Sequence, residues 1–156
     1  MSTRLWIHYF VQSFLATLAI LVVLIILSLQ NLVVVASIGA SAFIVFTMPS
    51  SITAKPRNVI GGHVIGFTSG TLCWFIYETW LYSIEPLAKL VLYSLAVGLS
   101  ILLMVITDTE HPPASGTALA TVVNGFSWEV LVTLIVSTCV LSAIKHILKS
   151  YLKDLI

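Results

Sequence analysis

Residues 5–54 read LWIHYFVQSFLATLAILVVLIILSLQNLVVVASIGASAFIVFTMPSSITA, a stretch without a single formal charge. As one helix it would be about 75 Å long, more than twice the ~30 Å hydrocarbon core of a bilayer. It therefore divides. Gln30-Asn31 is the only polar break, so the stretch splits into a span near 11–29 and a shorter apolar segment near 32–47, closed by Pro49.

The rest of the 156 residues follows suit: 59% are hydrophobic, 8% are charged, and the mean hydropathy is +1.10. Globular domains carry roughly 25% charged residues, so lipid is the natural solvent. Seven Lys plus Arg against six Asp plus Glu give a net charge of +1, which leaves no basic face for nucleic acid. Cys73 and Cys139 lie inside apolar stretches without a CxxC pattern and read as small buried hydrophobes. The apolar stretch after Arg4 is too long for a signal peptide and lacks a small-residue cleavage site, so the chain is expected to insert directly.

Charges and interfacial aromatics bound three further spans, near 58–78, 87–107 and 127–148. Residues 112–125, opened by Pro112-Pro113 and closed by Asn124-Gly125, are too short to cross easily. The expected fold is an all-α polytopic membrane protein forming a single transmembrane domain over 1–156. It has four full spans plus two short helices near 32–47 and 112–125, re-entrant or half-length. Six spans are the alternative, with only Lys89 on the side opposite the other cations. Both versions put the termini in the cytoplasm under the positive-inside rule. Each half holds a long, a short and a long segment, and both short ones are rich in Ala, Ser and Gly, so a two-fold internal repeat is one reading and chance enrichment the other.

Gly62, Gly66 and Gly70 share one helix face. Such a ridge admits another helix closely, either within the chain or from a second copy in a homo-oligomer.

The octet Glu110-His111-Pro112-Pro113-Ala114-Ser115-Gly116-Thr117 is the richest in chemistry. Proline ends the preceding helix and suits the first turn of the next. A helix starting here would offer amide donors from Ala114, Ser115 and Gly116, with hydroxyls from Ser115 and Thr117, to an anion. A proline-ended loop with a surface histidine is the plainer alternative. Lys55 and Arg57, beside Asn58, read either as interfacial anchors or as attractors of anions. His63, inside the next span, is a functional candidate because ionisable groups at depth are costly.

These residues resemble the HPP family of integral membrane proteins. The likeness rests on Gly39-Ala40-Ser41-Ala42, on Pro49-Ser50-Ser51 with Lys55-Pro56-Arg57-Asn58-Val59-Ile60-Gly61-Gly62-His63, and on His111-Pro112-Pro113-Ala114 with Thr117-Ala118-Leu119. It implies a compact bacterial or plastid-envelope protein of four spans, with cyanobacterial and chloroplast members implicated in nitrite transport. A bacterial plasma membrane, cyanobacterial in particular, is the expected setting. The family often has Gln where this chain has Lys55, a change that bears on anion preference.

The expected function is transport of a small inorganic anion, nitrite first, at a site where the helix from Pro112 meets residues 37–42. Amides of Ala114 to Gly116 with Ser115 and Thr117 would bind it, Ser37, Gly39 and Ser41 would complete the cage, and His63 and His111 would tune charge or relay a proton. A structural or accessory membrane protein is the alternative. With neither HExxH nor GxSxG, and with two histidines making a poor metal site, no enzyme, metal or cofactor is expected.

Overall fold

The computed structural model describes residues 3–27, 32–82 and 87–156. The Gln30-Asn31 break and Glu85 lie outside the described residues, as does the side chain of Arg4. The described chain forms six helices: α1 (Thr3–Leu27), α2 (Leu32–Thr47), α3 (Pro56–Ile76), α4 (Leu87–Ile106), α5 (Pro113–Asn124) and α6 (Trp128–Leu148). A 3₁₀ turn, Ile52–Ala54, precedes α3, and a π-helical turn, Tyr77–Leu81, prolongs it. Four helices are long and apolar enough to span a bilayer, with α2 and α5 as the short pair.

The boundaries follow local chemistry. Pro56 and Pro113 occupy the first turns of α3 and α5, where a missing N–H costs no helical bond. Ser127 caps α6 by accepting from the Val130 N–H. After α4 the Thr109 N–H returns to Met104 O and the Asp108 N–H to Val105 O, with Asp108 left-handed at φ 51°. That is a Schellman stop in which an aspartate takes the position glycine usually fills. Gly125, at φ 85°, ends α5 and lies against the Trp74 indole. The first helix begins well before residue 11, because Gln12 is buried and donates to the carbonyls of Phe46 and Lys153 instead of meeting water.

Contacts between helix ends fix the path of the chain. Thr47 O accepts from Leu155 N–H, Ala54 O accepts from Lys145 Nζ, and Thr107 O accepts from Arg57. The ends of α2, α4 and α6 and the starts of α3 and α5 thus share one end of the bundle, the Pro49 end. Trp74, Tyr77, Lys89 and Asn124 line a common cleft at the other, the Trp74 end. The re-entrant form is not adopted by α5: it enters at the Pro49 end and leaves beside Trp74, running end to end as the six-span alternative has it. Lys55, Lys145 and Lys149 line one cleft at the Pro49 end, while Lys89 sits over the Tyr77 ring at the other. The helix lengths run long, short, long in each half, as the repeat reading requires.

The centre of the bundle is the pairing of α3 with α5. A methyl group on Gly66 would run into the Ala114 carbonyl oxygen, one on Gly70 would lie 2.6 Å from Thr121 Cβ, and one on Gly62 would lie 2.8 Å from His111 Cβ. The glycine ridge is therefore filled by α5 of the same chain. Of the two readings of Gly62, Gly66 and Gly70, contact within the chain is the one adopted, and the homo-oligomer reading of this ridge is corrected: a face already in backbone contact has no room for a second helix. Around this pair one apolar cluster gathers α1, α2 and α6 through Val23, Ile38, Phe46 and Leu141, and another gathers α4 through Leu92 and Ala96.

Gly66→Ala is expected to destabilise the protein by about 1–3 kcal/mol or more, since backbone rather than a flexible side chain must yield. Gly98→Ala, where an added methyl meets nothing within 4 Å, is expected to stabilise it by about 0.5–1 kcal/mol. Thermal unfolding of the detergent-solubilised variants checks both.

Candidate functional site

Ser37 and Ser41 stand one turn apart on the same face of α2, and that face meets α3 and α5. The Ser37 hydroxyl donates to Pro113 O at 2.9 Å and lies 2.8 Å from Thr117 Oγ1. Thr117 Oγ1 is 2.7 Å from His63 Nδ1, and His63 Nε2 is 2.8 Å from Ser41 Oγ. The Ser41 hydroxyl reaches Ser37 O at 2.9 Å, and its oxygen is 2.9 Å from His111 Nε2. His111 Nδ1 closes the chain at 2.8 Å from Thr53 O, in the 3₁₀ turn. All five side chains are buried.

Such a cluster is costly in an apolar bundle unless each polar atom finds a partner. Its members come from three helices and two connections, so it forms only when the fold is complete. Burial holds the His111 imidazole down to about 4, against a smaller upward pull from the Thr53 carbonyl. The ring is thus neutral near pH 7, with its proton on Nδ1, because Thr53 O can only accept. Among the described residues no three His, Cys, Asp or Glu side chains stand close enough to hold a metal ion.

Ser37, Ser41, His63, His111 and Thr117, all expected at the site, are brought together. Others are not. Gly39 points away into a cleft between α1 and α2 lined by Gln12, Ala16 and Phe43. Pro112 is exposed, and with Ser115 it lines an apolar cleft that also touches Ile101, Met104, Glu110 and His111, outside the hydrogen-bonded cluster. Gly116 faces α2, where a methyl group would lie 3.7 Å from Ser37 Cβ. The amide donors of the first turn of α5 are not free: Ala114 N–H goes to His111 O and Ser115 N–H to Pro112 O. The tight proline turn supplies its own acceptors, so hydroxyls and imidazoles, rather than those two amides, make the cluster's polarity.

Lys55 and Arg57 part company. Arg57 donates to Thr107 O and Asn58 to Glu110 O, tying α3 to the connection before α5. Lys55 instead lines a cleft of about 340 Å³ at the Pro49 end with Ser142, Lys145, His146 and Lys149. The spacing 142, 145, 146, 149 is one face of a helix and could have been read from sequence. At the Trp74 end a polar cleft of about 400 Å³ is lined by Tyr77, Tyr82, Tyr93, Lys89 and Asn124.

The transmembrane region that defines HPP proteins matches residues 1–154, from the first helix through the histidine cluster to the C-terminal turn. The chain belongs to the HPP transmembrane family. Two relatives are transmembrane proteins of Dictyostelium discoideum. One is 39% identical over 98 residues, covering 63% of this chain and 33% of the relative. The other is 34% identical over 95 residues, covering 61% and 29%. The chain thus matches about a third of the length of each of these relatives. No solved structure matches. These matches speak of a membrane protein; they name no substrate and no bacterial setting.

Because His111 is held neutral in the fold but titrates near 6.5 when unfolded, the folded state binds fewer protons between those values. Its stabilising share is present above pH 6.5 and is lost as pH falls towards about 4, amounting to about 3 kcal/mol in all. Melting temperatures of the solubilised protein measured from pH 7.5 to 4 are expected to fall across that window. The fall should be shallower in His111→Gln.

Proposed function

We propose that this HPP protein moves a small monovalent oxyanion across a bilayer, with nitrite as the leading substrate. The observation that carries the reading is the buried cluster of Ser37, Ser41, His63, His111 and Thr117. Hydroxyls and imidazoles can offer N–H and O–H donors to an anion, and in a low-dielectric setting such donors count for more than in water. No carboxylate stands on α2 or α5 to repel it.

The clefts at the two ends suit entry and exit. The lysines of the Pro49 end would raise the local concentration of anions, as convergent charge in a cleft does. That end would face the cytoplasm by the positive-inside rule, taking the C-terminus with it. Trp74, Tyr77, Tyr82 and Tyr93 would lie at the opposite interface, where aromatic rings with polar tips are favoured.

A second reading, a structural or accessory membrane protein, is favoured by one observation: each polar side chain of the cluster has an internal partner, as a purely architectural cluster requires. The two are separated by nitrite uptake into proteoliposomes, measured against empty liposomes and against competing nitrate and formate. Ser37→Ala and His63→Gln are expected to lower uptake by about tenfold, the worth of a strong buried hydrogen bond. Unchanged uptake in folded variants would favour the architectural reading. Lys149→Gln is expected to slow uptake at low ionic strength and to match the parent at high ionic strength, where salt screens the cleft.

A further inference from the structure

Positive charge is scarce in this chain and unevenly placed. Of its seven Lys and Arg, three lysines converge on the cleft at the Pro49 end. Lys145 and Lys149 stand one turn apart astride the end of the α6 span, which stops at Leu148, and Lys55 meets them from the step between the 3₁₀ turn and α3. Lysines that act only as interfacial anchors extend separately into water. These are held together instead. Lys55 and Lys149 both repel Lys145, which is half-buried and has one ammonium proton tied to Ala54 O at 2.7 Å, leaving two to donate.

The fold offsets little of this repulsion. Asp154 is the carboxylate that acts on Lys145, and it already accepts from the Ser50 N–H at 3.0 Å. Three ammonium groups against one carboxylate leave a surplus of two charges at a cleft of about 340 Å³. Like charges gathered at the edge of a low-dielectric body call for a counter-ion.

A second observation points to an occupant. Ser142 lines the same cleft one turn before Lys145 and His146, is only 8% exposed, and its hydroxyl has no hydrogen-bond partner among the described residues. Ser137 and Thr138 on the same helix satisfy theirs on the carbonyls of Thr133 and Leu134, four residues earlier. A buried hydroxyl left open costs free energy that a bound acceptor returns.

An oxyanion suits ammonium donors and an unpaired hydroxyl together. The surplus selects its charge: a phosphate monoester carries about −1.5 to −2 near pH 7, whereas a phosphodiester carries one negative charge. The cleft also lies where the α6 span ends, the depth of lipid headgroups, with buried Leu152, Pro49 and Pro56 as its apolar part. Basic pockets between helices at a membrane surface are suited to phosphate-bearing headgroups.

We propose that the Pro49 cleft is a binding site for one phosphate monoester group, held by Lys55, Lys145, Lys149 and Ser142. The group is carried on a lipid headgroup or arrives free from solution. The site stands apart from the histidine cluster and does not depend on the anion-transport reading.

The test uses the full chain in a neutral maltoside detergent, with binding read by native mass spectrometry and by the rise in melting temperature. The probes are dioctanoyl phosphatidic acid, phosphatidylglycerol and phosphatidylcholine, and inorganic phosphate, with sodium chloride matching ionic strength. One phosphatidic acid is expected per chain, bound about tenfold more tightly than phosphatidylglycerol, with phosphatidylcholine weaker still. Lys149→Gln is expected to weaken that binding by about tenfold and Ser142→Ala by about fivefold, the worth of a charge-assisted and of a neutral hydrogen bond. Lys149 is exposed, so its loss should spare the fold; melting without probes checks this, and Lys55→Gln repeats the test from the other wall. Lys153→Gln removes the same charge outside the cleft and is expected to bind as the parent does.

Tight binding of phosphatidic acid, with inorganic phosphate inert at millimolar levels, assigns the group to a lipid. A saturable rise with inorganic phosphate, lost in Lys149→Gln and not improved by the lipid, assigns it to a soluble phosphate; both outcomes support the site. It is overturned if no probe binds beyond the chloride control, or if phosphatidylglycerol binds as tightly as phosphatidic acid. Undiminished binding in Lys149→Gln and Lys55→Gln, or equal weakening in Lys153→Gln, also overturns it.

Discussion

The backbone-to-backbone approach of α3 and α5 is the constraint on which the rest of the molecule depends. Small residues let these helices touch along the Gly62–Gly70 ridge, and that contact sets the level of everything carried on them. His63 lies beside Thr117, and His111 closes over Gly62, because the two axes are as close as the missing side chains permit. In lipid there is no hydrophobic drive to bring helices together, so packing and internal hydrogen bonds do that work. The polar cluster and the glycine ridge are two sides of one arrangement: the ridge fixes the spacing, and the hydrogen bonds fix the rotation of α2 against it.

Burying five polar side chains inside a chain so poor in charge asks for a reason. Single hydroxyls in membrane helices usually satisfy themselves on the carbonyl four residues earlier, as Thr17, Thr68, Ser94 and Thr138 do here. Ser37 and Thr117 turn instead to side chains and carbonyls on other helices. Imidazole is the only ionisable group among the five, and it is the one able to exchange its role as donor and acceptor without a change of shape.

Much of this was legible in the sequence. The charge-free stretch, the Pro112-Pro113 pair and the Asn124-Gly125 stop pointed to the number and lengths of the helices, because lipid leaves a chain few ways to satisfy its backbone. The residues of the cluster could also be nominated, since polar groups are rare enough here to stand out. Their roles were harder to read. Local rules make Ala114 and Ser115 look like free donors, whereas the tight turn through Pro112 and Pro113 brings acceptors to them. The separation of Gly39 from Ser37 and Ser41 depends on how α2 is rotated against its neighbours. The part of Thr53 was hidden altogether, because it acts through its main chain and any residue type could have served.

The shortness of α5 has an electrical meaning. Its twelve residues cover about 18 Å, well under the thickness of the hydrocarbon core, and clefts open at both ends of the bundle, a lysine-lined one at the Pro49 end and a polar one, reaching α5 at Val122 to Asn124, at the Trp74 end. If water and ions follow those clefts inward, the insulating part of the barrier is thin, and the transmembrane voltage drops over that short stretch. A small change in where charge sits along α5 would then sample a large fraction of the membrane potential.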